Sequence, residues 1–243
     1  MKFNFAGSTI KGVRVENQDN FTVFWAKNKS YIVAAIADGM GGYKGGKLAS
    51  EVVINFIEKD FENLDLKEKN DNEIFNLMIR EIRLVQLKLI DLTKKENAPL
   101  EMGTTINFNL IYKNKIYTLN IGDTRATHYY NKKLVDISED HNLATLAKKD
   151  SNFRKYRKYT NFLTSALGPK KESRLDIFIT KLQKKGILIL ASDGIHNFVK
   201  KQELKKILKL RNPVAKKVEK IIKKAKKSYS NDNMTCVLVE YGI

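Results

Sequence analysis

The stretch that decides the fold is YIVAAIADGMGGYKGG, residues 31–46. Its first seven residues, Tyr31 to Ala37, form a nearly continuous apolar run bounded by an Asp-Gly pair, which reads as a buried strand. A glycine-rich turn follows. Beyond it, Lys47 to Phe61 and Glu73 to Lys94 carry apolar residues at helical spacing, the second with Ile74, Leu77, Met78, Ile82, Val85, Leu89 and Leu92 on one face. Upstream, Phe3 to Ser8 and Asn20 to Trp25 read as strands. Downstream, Thr105 to Tyr112 alternates, with Ile106, Phe108, Leu110 and Tyr112 on one side and Asn107 and Asn109 on the other. The turn pair Lys113-Asn114 then leads into a strand with Tyr117, Leu119 and Ile121 inward. Strands follow at Ala126 to Tyr130, Lys133 to Ile137, Leu175 to Leu182, Ile187 to Ala191 and Met234 to Tyr241. Asp140 to Lys158 reads as a short helix and a mobile polar loop, SNFRKYRKY. Lys200 to Leu210 and Pro213 to Lys227 form a second amphipathic helix pair. Strands joined by hairpins and interrupted by two helix pairs predict one α+β domain over residues 1–243: a four-layer α-β-β-α sandwich with two central antiparallel sheets.

Composition narrows the classes. The 243 residues are 42% hydrophobic with 3 Pro and 13 Gly, which suits a folded chain and not a disordered one. One cysteine, Cys236, excludes an internal disulfide and a structural thiolate zinc site. The opening MKFNFAGSTIKGVR has no apolar run of signal-peptide length, and no stretch approaches a membrane span, so a cytoplasmic protein is expected. The net charge is +18, with 37 Lys and 8 Arg among the 45 basic residues. Residues 200–227 hold thirteen basic and two acidic residues, a net +11. Two readings of that stretch stay open, a solvated Lys face and a nucleic-acid surface, although one Arg and no aromatic before Tyr229 give little for base readout.

The chemistry is read from the aspartates. Asp38-Gly39, Gly122-Asp123, Asp193-Gly194 and Asp232 each stand at a strand end. Any one alone reads as a turn cap. Four together, with no His or Cys cluster, form the oxygen-rich set that hard divalent cations take, and Mn2+ or Mg2+ is the expected metal. Two such ions sharing a carboxylate can lower the pKa of a bridging water until hydroxide is available near neutral pH.

The chain resembles the metal-dependent PP2C-type (PPM family) protein serine/threonine phosphatases, in their compact bacterial branch, nearly end to end. The residues that carry the resemblance are Gly12 to Asn20, Ala37 to Gly42, Gly103-Thr104-Thr105, Asn120 to Ala126, Asp140-His141-Asn142, Leu163 to Gly168, Ala191 to Gly194 and Asp232 to Thr235. It implies that Asp38 bridges two Mn2+ or Mg2+ ions, that Gly39 adds its backbone carbonyl, and that Asp193 and Asp232 complete one metal's ligands. Asp123 matches the family aspartate that, with Asp193, can hold a third, weaker ion. Arg14 matches the arginine that grips the substrate phosphate, where its fork suits two oxygens. Gln18 and Asp19 are the matching groups beside metal-bound water.

Two positions depart from the family pattern. Gln18 stands where many members have Glu, so it adds no negative charge and weaker metal affinity is expected. Met40 stands where eukaryotic members carry a His proposed as general acid, so it cannot protonate the leaving alkoxide. His128, His141 and His196 lie off the metal motifs and are read as structural. The resemblance implies hydrolysis of phosphoserine and phosphothreonine by in-line attack of a hydroxide bridging the two ions, on phosphorylated proteins supplied by a cognate Ser/Thr kinase. A monomer is expected, with no obligate nucleic acid and no membrane as partner. The loop from Asp150 to Tyr159, with Arg154, Lys155, Arg157 and Lys158, falls where the family has a variable flap, and reads either as a docking element or as a solvated loop.

Overall fold

The structure is a computed structural model that describes residues 1–40, 42–94, 102–159, 162–168 and 172–242. Gly41, in the motif Ala37 to Gly42, therefore lies outside the described residues. One sheet runs β1 (Phe3–Ile10), β11 (Met234–Tyr241), β10 (Gly186–Ala191), β7 (Arg125–Tyr130) and β8 (Lys133–Asp136). The other runs β2 (Asp19–Trp25), β3 (Ile32–Met40), β5 (Ile106–Tyr112), β6 (Lys115–Ile121) and β9 (Asp176–Lys181), with β4 (Gly103–Thr104) paired to the end of β3. The pairings are antiparallel. Helices α1 (Gly42–Phe61) and α2 (Asp71–Thr93) cover the second sheet, and α5 (Lys201–Leu208) and α6 (Val214–Lys227) cover the first. The expected four-layer sandwich is the fold.

The apolar run of β3 serves two layers at once. Val33 and Ala35 pack under α1 and α2 with Val53, Ile57, Met78 and Ile82. Ile32, Ala34 and Ile36 face the other sheet, against Leu188, Leu190, Val237 and Val239. Alternate residues thus enter different apolar layers, which is why the run shows no polar face. On the far side, Val218, Ile221, Ile222 and Ala225 of α6 pack on Ile189, Cys236 and Leu238. Fully burying one such side chain contributes about 1.5–3 kcal/mol.

Several boundaries differ from the sequence reading, each for a local reason. Helix α1 starts at Gly42, so the glycines read as a turn form its first turns. Gly46 is required there, because a Cβ would run into the backbone of Gly39, and the reverse holds for Gly39 against Gly46 O. Helix α2 starts at Asp71 behind a reciprocal capping box between Asn70 and Glu73. Pro213 is the N-cap of α6 and not its first helical residue. The short helix read after Asp140 is α3 (Leu143–Lys149), while the stretch SNFRKYRKY read as a mobile loop opens instead as a 3-10 helix, Ser151–Tyr156. Within it Phe153 and Tyr156 stand three apart, the period of a 3-10 helix, with ring centroids 6.1 Å apart, and beyond it the Tyr156–Tyr159 and Tyr159–Phe162 rings meet at 5.8 and 5.4 Å.

Both sides of the β5 alternation are buried. Asn109 Nδ2 donates to Asn107 Oδ1 at 2.7 Å, Asn107 Nδ2 to Asn120 Oδ1 at 2.8 Å, and Thr118 Oγ1 to Asn109 Oδ1 at 2.7 Å. The row is fully shielded from solvent and its members satisfy one another, as a polar group in an interior must. It ends on a turn. Asn107 Nδ2 reaches Thr124 O at 3.2 Å and Asn120 Nδ2 reaches Gly122 O at 3.1 Å, fixing the backbone on either side of Asp123.

Candidate metal centre

Antiparallel pairing gathers the aspartates at one end of the sandwich. Asp38, near the end of β3, pairs directly with Asp19, which opens β2. Asp123 lies in the turn from β6 to β7, Asp193 follows β10 as the first residue of the short helix α4 (Asp193–His196), and Asp232 precedes β11. Asp38, Asp123, Asp193 and Asp232 line one cleft of about 570 Å³, together with Arg14, Gln18 and Gly39. Asp19 is 6% exposed and stands behind them. All eight residues named from the sequence thus come together, seven in the cleft wall and one beneath it.

The backbone of Asp38 is held from the neighbouring chain. Its N–H donates to Thr105 Oγ1 at 3.0 Å, and its carbonyl accepts from Thr105 N–H at 2.8 Å and Thr104 Oγ1 at 2.9 Å. Asp19 Oδ2 accepts from Thr235 Oγ1 at 2.6 Å and Ser192 Oγ at 2.8 Å. The loop carrying Arg14 is clamped by Asn233, whose Oδ1 accepts from Gln18 N–H and whose Nδ2 donates to Lys11 O and Glu16 O, at 2.9–3.0 Å. Arg14 itself donates from Nη2 to Asp232 Oδ2 at 2.6 Å and from Nε to Asn231 O at 2.9 Å.

The three histidines do work away from the cleft. His128 bonds the Tyr241 hydroxyl at 2.6 Å. His141 Nδ1 accepts from Gly122 N–H at 3.2 Å, and its Nε2 meets Asp176 Oδ2 at 3.0 Å. His196 Nε2 donates to Asp123 O at 3.0 Å. The last two therefore brace the Gly122-Asp123 turn from opposite sides. Burial lowers all three pKa values, to about 4 for His128 and His196, so these two are neutral at pH 7.

Charge density is the main property of the cleft. Burial, then repulsion from neighbouring carboxylates, raises Asp123 to about 8 and Asp193 to about 7. Asp19 rises to about 6 through burial, opposed by its two hydroxyl donors. Asp38 is pushed well above the usual carboxylate range by burial and then by Asp19, Asp193, Asp123 and Asp232. Buried oxygens Asp19 Oδ1 and Asp193 Oδ1 have no hydrogen-bond partner. A carboxylate oxygen orphaned in such a place costs about 1–3 kcal/mol or more, which a cation would relieve. Among the described residues, no group of three or more His, Cys, Asp or Glu side chains stands close enough to hold an ion as drawn. Asp232 turns to Arg14. Oxygen donors, unmet charge and orphaned oxygens fit hard divalent cations.

Some of the working residues were not assigned a role from the sequence. Thr104, Thr105, Ser192, Asn233 and Thr235 lie inside the quoted motifs, but their partners are up to 226 positions away along the chain. Glu16 lines the cleft and pairs with Lys47 at 3.6 Å.

A carboxylate cleft with one arginine at its mouth, set at the end of an α-β-β-α sandwich, suits divalent cations and a phosphate-like anion. The protein phosphatase 2C family profile matches residues 8–239. Over 238 residues the chain is 31% identical to the serine/threonine phosphatase stp of Listeria welshimeri, covering 95% of this chain and 92% of that one. Its fold matches the serine/threonine phosphatase of S. agalactiae with a TM-score of 0.88 at 24% identity, over 98% of this chain and 99% of that one. It also matches the catalytic domain of the phosphatase PstP, solved with two manganese ions, with a TM-score of 0.83 at 21% identity over 98% and 97%. The chain belongs to the protein phosphatase 2C family and is a protein serine/threonine phosphatase of the bacterial type.

Proposed function

We propose that this phosphatase hydrolyses phosphoserine and phosphothreonine monoesters with two Mn2+ or Mg2+ ions held by Asp38, the Gly39 carbonyl, Asp193 and Asp232. Asp123 joins Asp193 at a third, weaker site. The observation that carries this reading is the gathering of four aspartates in one cleft, with Asp38, Asp123 and Asp193 held above the usual carboxylate range and buried oxygens of Asp19 and Asp193 left without a hydrogen-bond partner. When bound, such a metal pair supplies charge neutralisation and a bridging hydroxide for in-line attack on phosphorus.

The protein's own groups do the rest. Arg14 is exposed on the cleft rim, and a substrate phosphate competes with Asp232 for its fork. Asp19, anchored through Oδ2, presents Oδ1 as an acceptor that orients water, and the Gln18 amide oxygen acts beside it. Among the described residues no Ser, Cys or His side chain lines the cleft, and Thr105 Oγ1 is engaged by Asp38 N–H and Thr124. Cys236 is fully buried, its thiol pushed up to about 12 by burial. That inventory supports attack by water without a phosphoenzyme, the cleft aspartates being engaged as metal ligands in this reading. Met40 offers no proton, so water protonates the leaving alkoxide. We read the chain as a cytoplasmic monomer acting on phosphoproteins made by a cognate Ser/Thr kinase.

The test is turnover of a phosphothreonine peptide with Mn2+ and with a chelator. Turnover should require the metal, and equal rates with and without chelator would overturn the reading. The aromatic strip of the 3-10 segment carries exposed Arg154, Lys155, Arg157 and Lys158 and runs to Leu163, which lines the cleft. Changing these four to Glu should raise KM for an acidic phosphoprotein several-fold and leave that for p-nitrophenyl phosphate nearly unchanged. Equal effects on both substrates would exclude a docking role.

A further inference from the structure

The two outer helical layers carry opposite charge. Residues 42–93, with α1 and α2, hold eight basic and ten acidic residues, a net −2, while residues 200–227, with α5 and α6, carry +11. A uniform compositional bias toward Lys would load both layers. Here the excess lies on one face.

The fold turns that excess outward. Val214, Val218, Ile221, Ile222 and Ala225 of α6 are buried on the sheet, which leaves the opposite side of the helix to solvent. Lys206, Lys209, Lys220, Lys223, Lys226 and Lys227 are exposed, and none is ion-paired among the described residues. Lys220, Lys223 and Lys227 follow helical spacing along one stripe. Leu210, just past α5, is 39% exposed, and Tyr229, just past α6, is 90% exposed. At the α5 end the face opens into a cavity of about 1020 Å³ whose lining includes Tyr129, Tyr130, Leu208, Lys132, Lys185 and Lys209.

From this arrangement we propose, against the expectation from the sequence of no membrane partner, that the α5–α6 face docks the enzyme on an anionic lipid bilayer. Lysines supply point charges for headgroup phosphates, and clusters of this size on an amphipathic helix bind anionic leaflets. A tyrosine and a leucine at the edges suit the interfacial depth, and a cavity with an apolar floor and a lysine rim suits an amphiphilic anion. A duplex nucleic acid keeps its bases stacked inside and offers little for the leucine, and with Arg211 the one arginine among residues 200–227 and no aromatic before Tyr229 the face has little of base recognition. Contact is peripheral, since no helix among the described residues is long and apolar enough to cross a membrane. Arg14 bonds Asn231, three residues beyond the Ser228 cap of α6, so the cleft mouth adjoins one end of the docked face. Phosphoproteins held at the same surface would meet it at raised local concentration.

The test is co-sedimentation of the full chain with phosphatidylcholine vesicles containing about a third phosphatidylglycerol, at about 0.15 M salt. The protein should bind these and not pure phosphatidylcholine. Lys220→Gln, Lys223→Gln, Lys226→Gln and Lys227→Gln together should weaken binding by roughly fivefold per lysine, several hundredfold in all. Hydrolysis of p-nitrophenyl phosphate should stay unchanged, which also shows that the variant is folded. The same loss of charge on the opposite layer, at Lys59, Lys67, Lys69 and Lys88, should leave binding intact. Absence of wild-type binding at this salt, equal binding to neutral vesicles, or equal weakening by the two sets would overturn the proposal. So would tighter binding to duplex DNA than to the vesicles.

Discussion

Asp38→Asn should abolish nearly all divalent-dependent hydrolysis of p-nitrophenyl phosphate, with kcat falling on the order of a thousandfold, the scale on which a preorganised site loses one charge-stabilising group. Asp38 stands at the centre of the repulsive cluster, raised by burial and then by four other aspartates, so its charge is the one that both ions of the proposed pair would share. The amide keeps the shape and gives up the charge. Its backbone ties to Thr104 and Thr105 do not involve the side chain and should survive, so the variant should fold. Removing one buried negative charge should in fact make the metal-free protein more stable than the metal-free wild type. A variant that kept near wild-type turnover would show that Asp38 holds no catalytic ion. Lost activity together with lost stability would instead indicate a damaged fold.

Much of this was legible because two kinds of signal coincide. The apolar run from Tyr31 to Ala37 could be read as a buried strand because alternate residues enter two different apolar layers, which leaves no polar position to obscure it. The aspartates could be read because each sits beside a glycine or a strand end, where a carboxylate has a reason to face outward from the sheet edge. What stayed hidden depends on pairing across long separations. The Asn107-Asn109-Asn120 row looks like a polar strand face until β5 is seen with its polar side against the other sheet. Thr235 reads as an ordinary strand residue and Ser192 as the residue after a strand, yet their hydroxyls hold Asp19 from the other sheet. Gly46 looked like part of a turn because only the packed structure reveals Gly39 against it. The polar composition of SNFRKYRKY suggested a mobile loop, and the three-residue spacing of its aromatics, visible in the sequence, was the overlooked sign of a 3-10 turn.

Loading the chelated wild type with Mn2+ should raise its Tm by about 5–10 °C at a metal concentration near a hundred times Kd. Binding at that level contributes about 2.7 kcal/mol, and for a chain of this size each kcal/mol moves Tm by about 2–4 °C. The shift should depend on pH in a defined direction. Folding raises Asp19 to about 6, Asp193 to about 7 and Asp123 to about 8, from an unfolded value near 3.9. A raised carboxyl pKa means that the folded state holds its proton more tightly than the unfolded chain does. The stability tied to those protons is complete below about pH 4 and drains away as pH climbs through the range 6 to 8. The metal-free cluster is therefore at its worst near pH 8. A divalent ion needs the same groups deprotonated, so its apparent affinity should strengthen over the range in which the metal-free protein weakens. The gap in Tm between Mn2+-loaded and chelated protein should widen from pH 6 to pH 8 in the wild type and nearly close in Asp38→Asn. Calorimetry at a few pH values reads both gaps. A gap that narrows toward pH 8, or one of equal size in the variant, would mean that these carboxylates do not hold the ion.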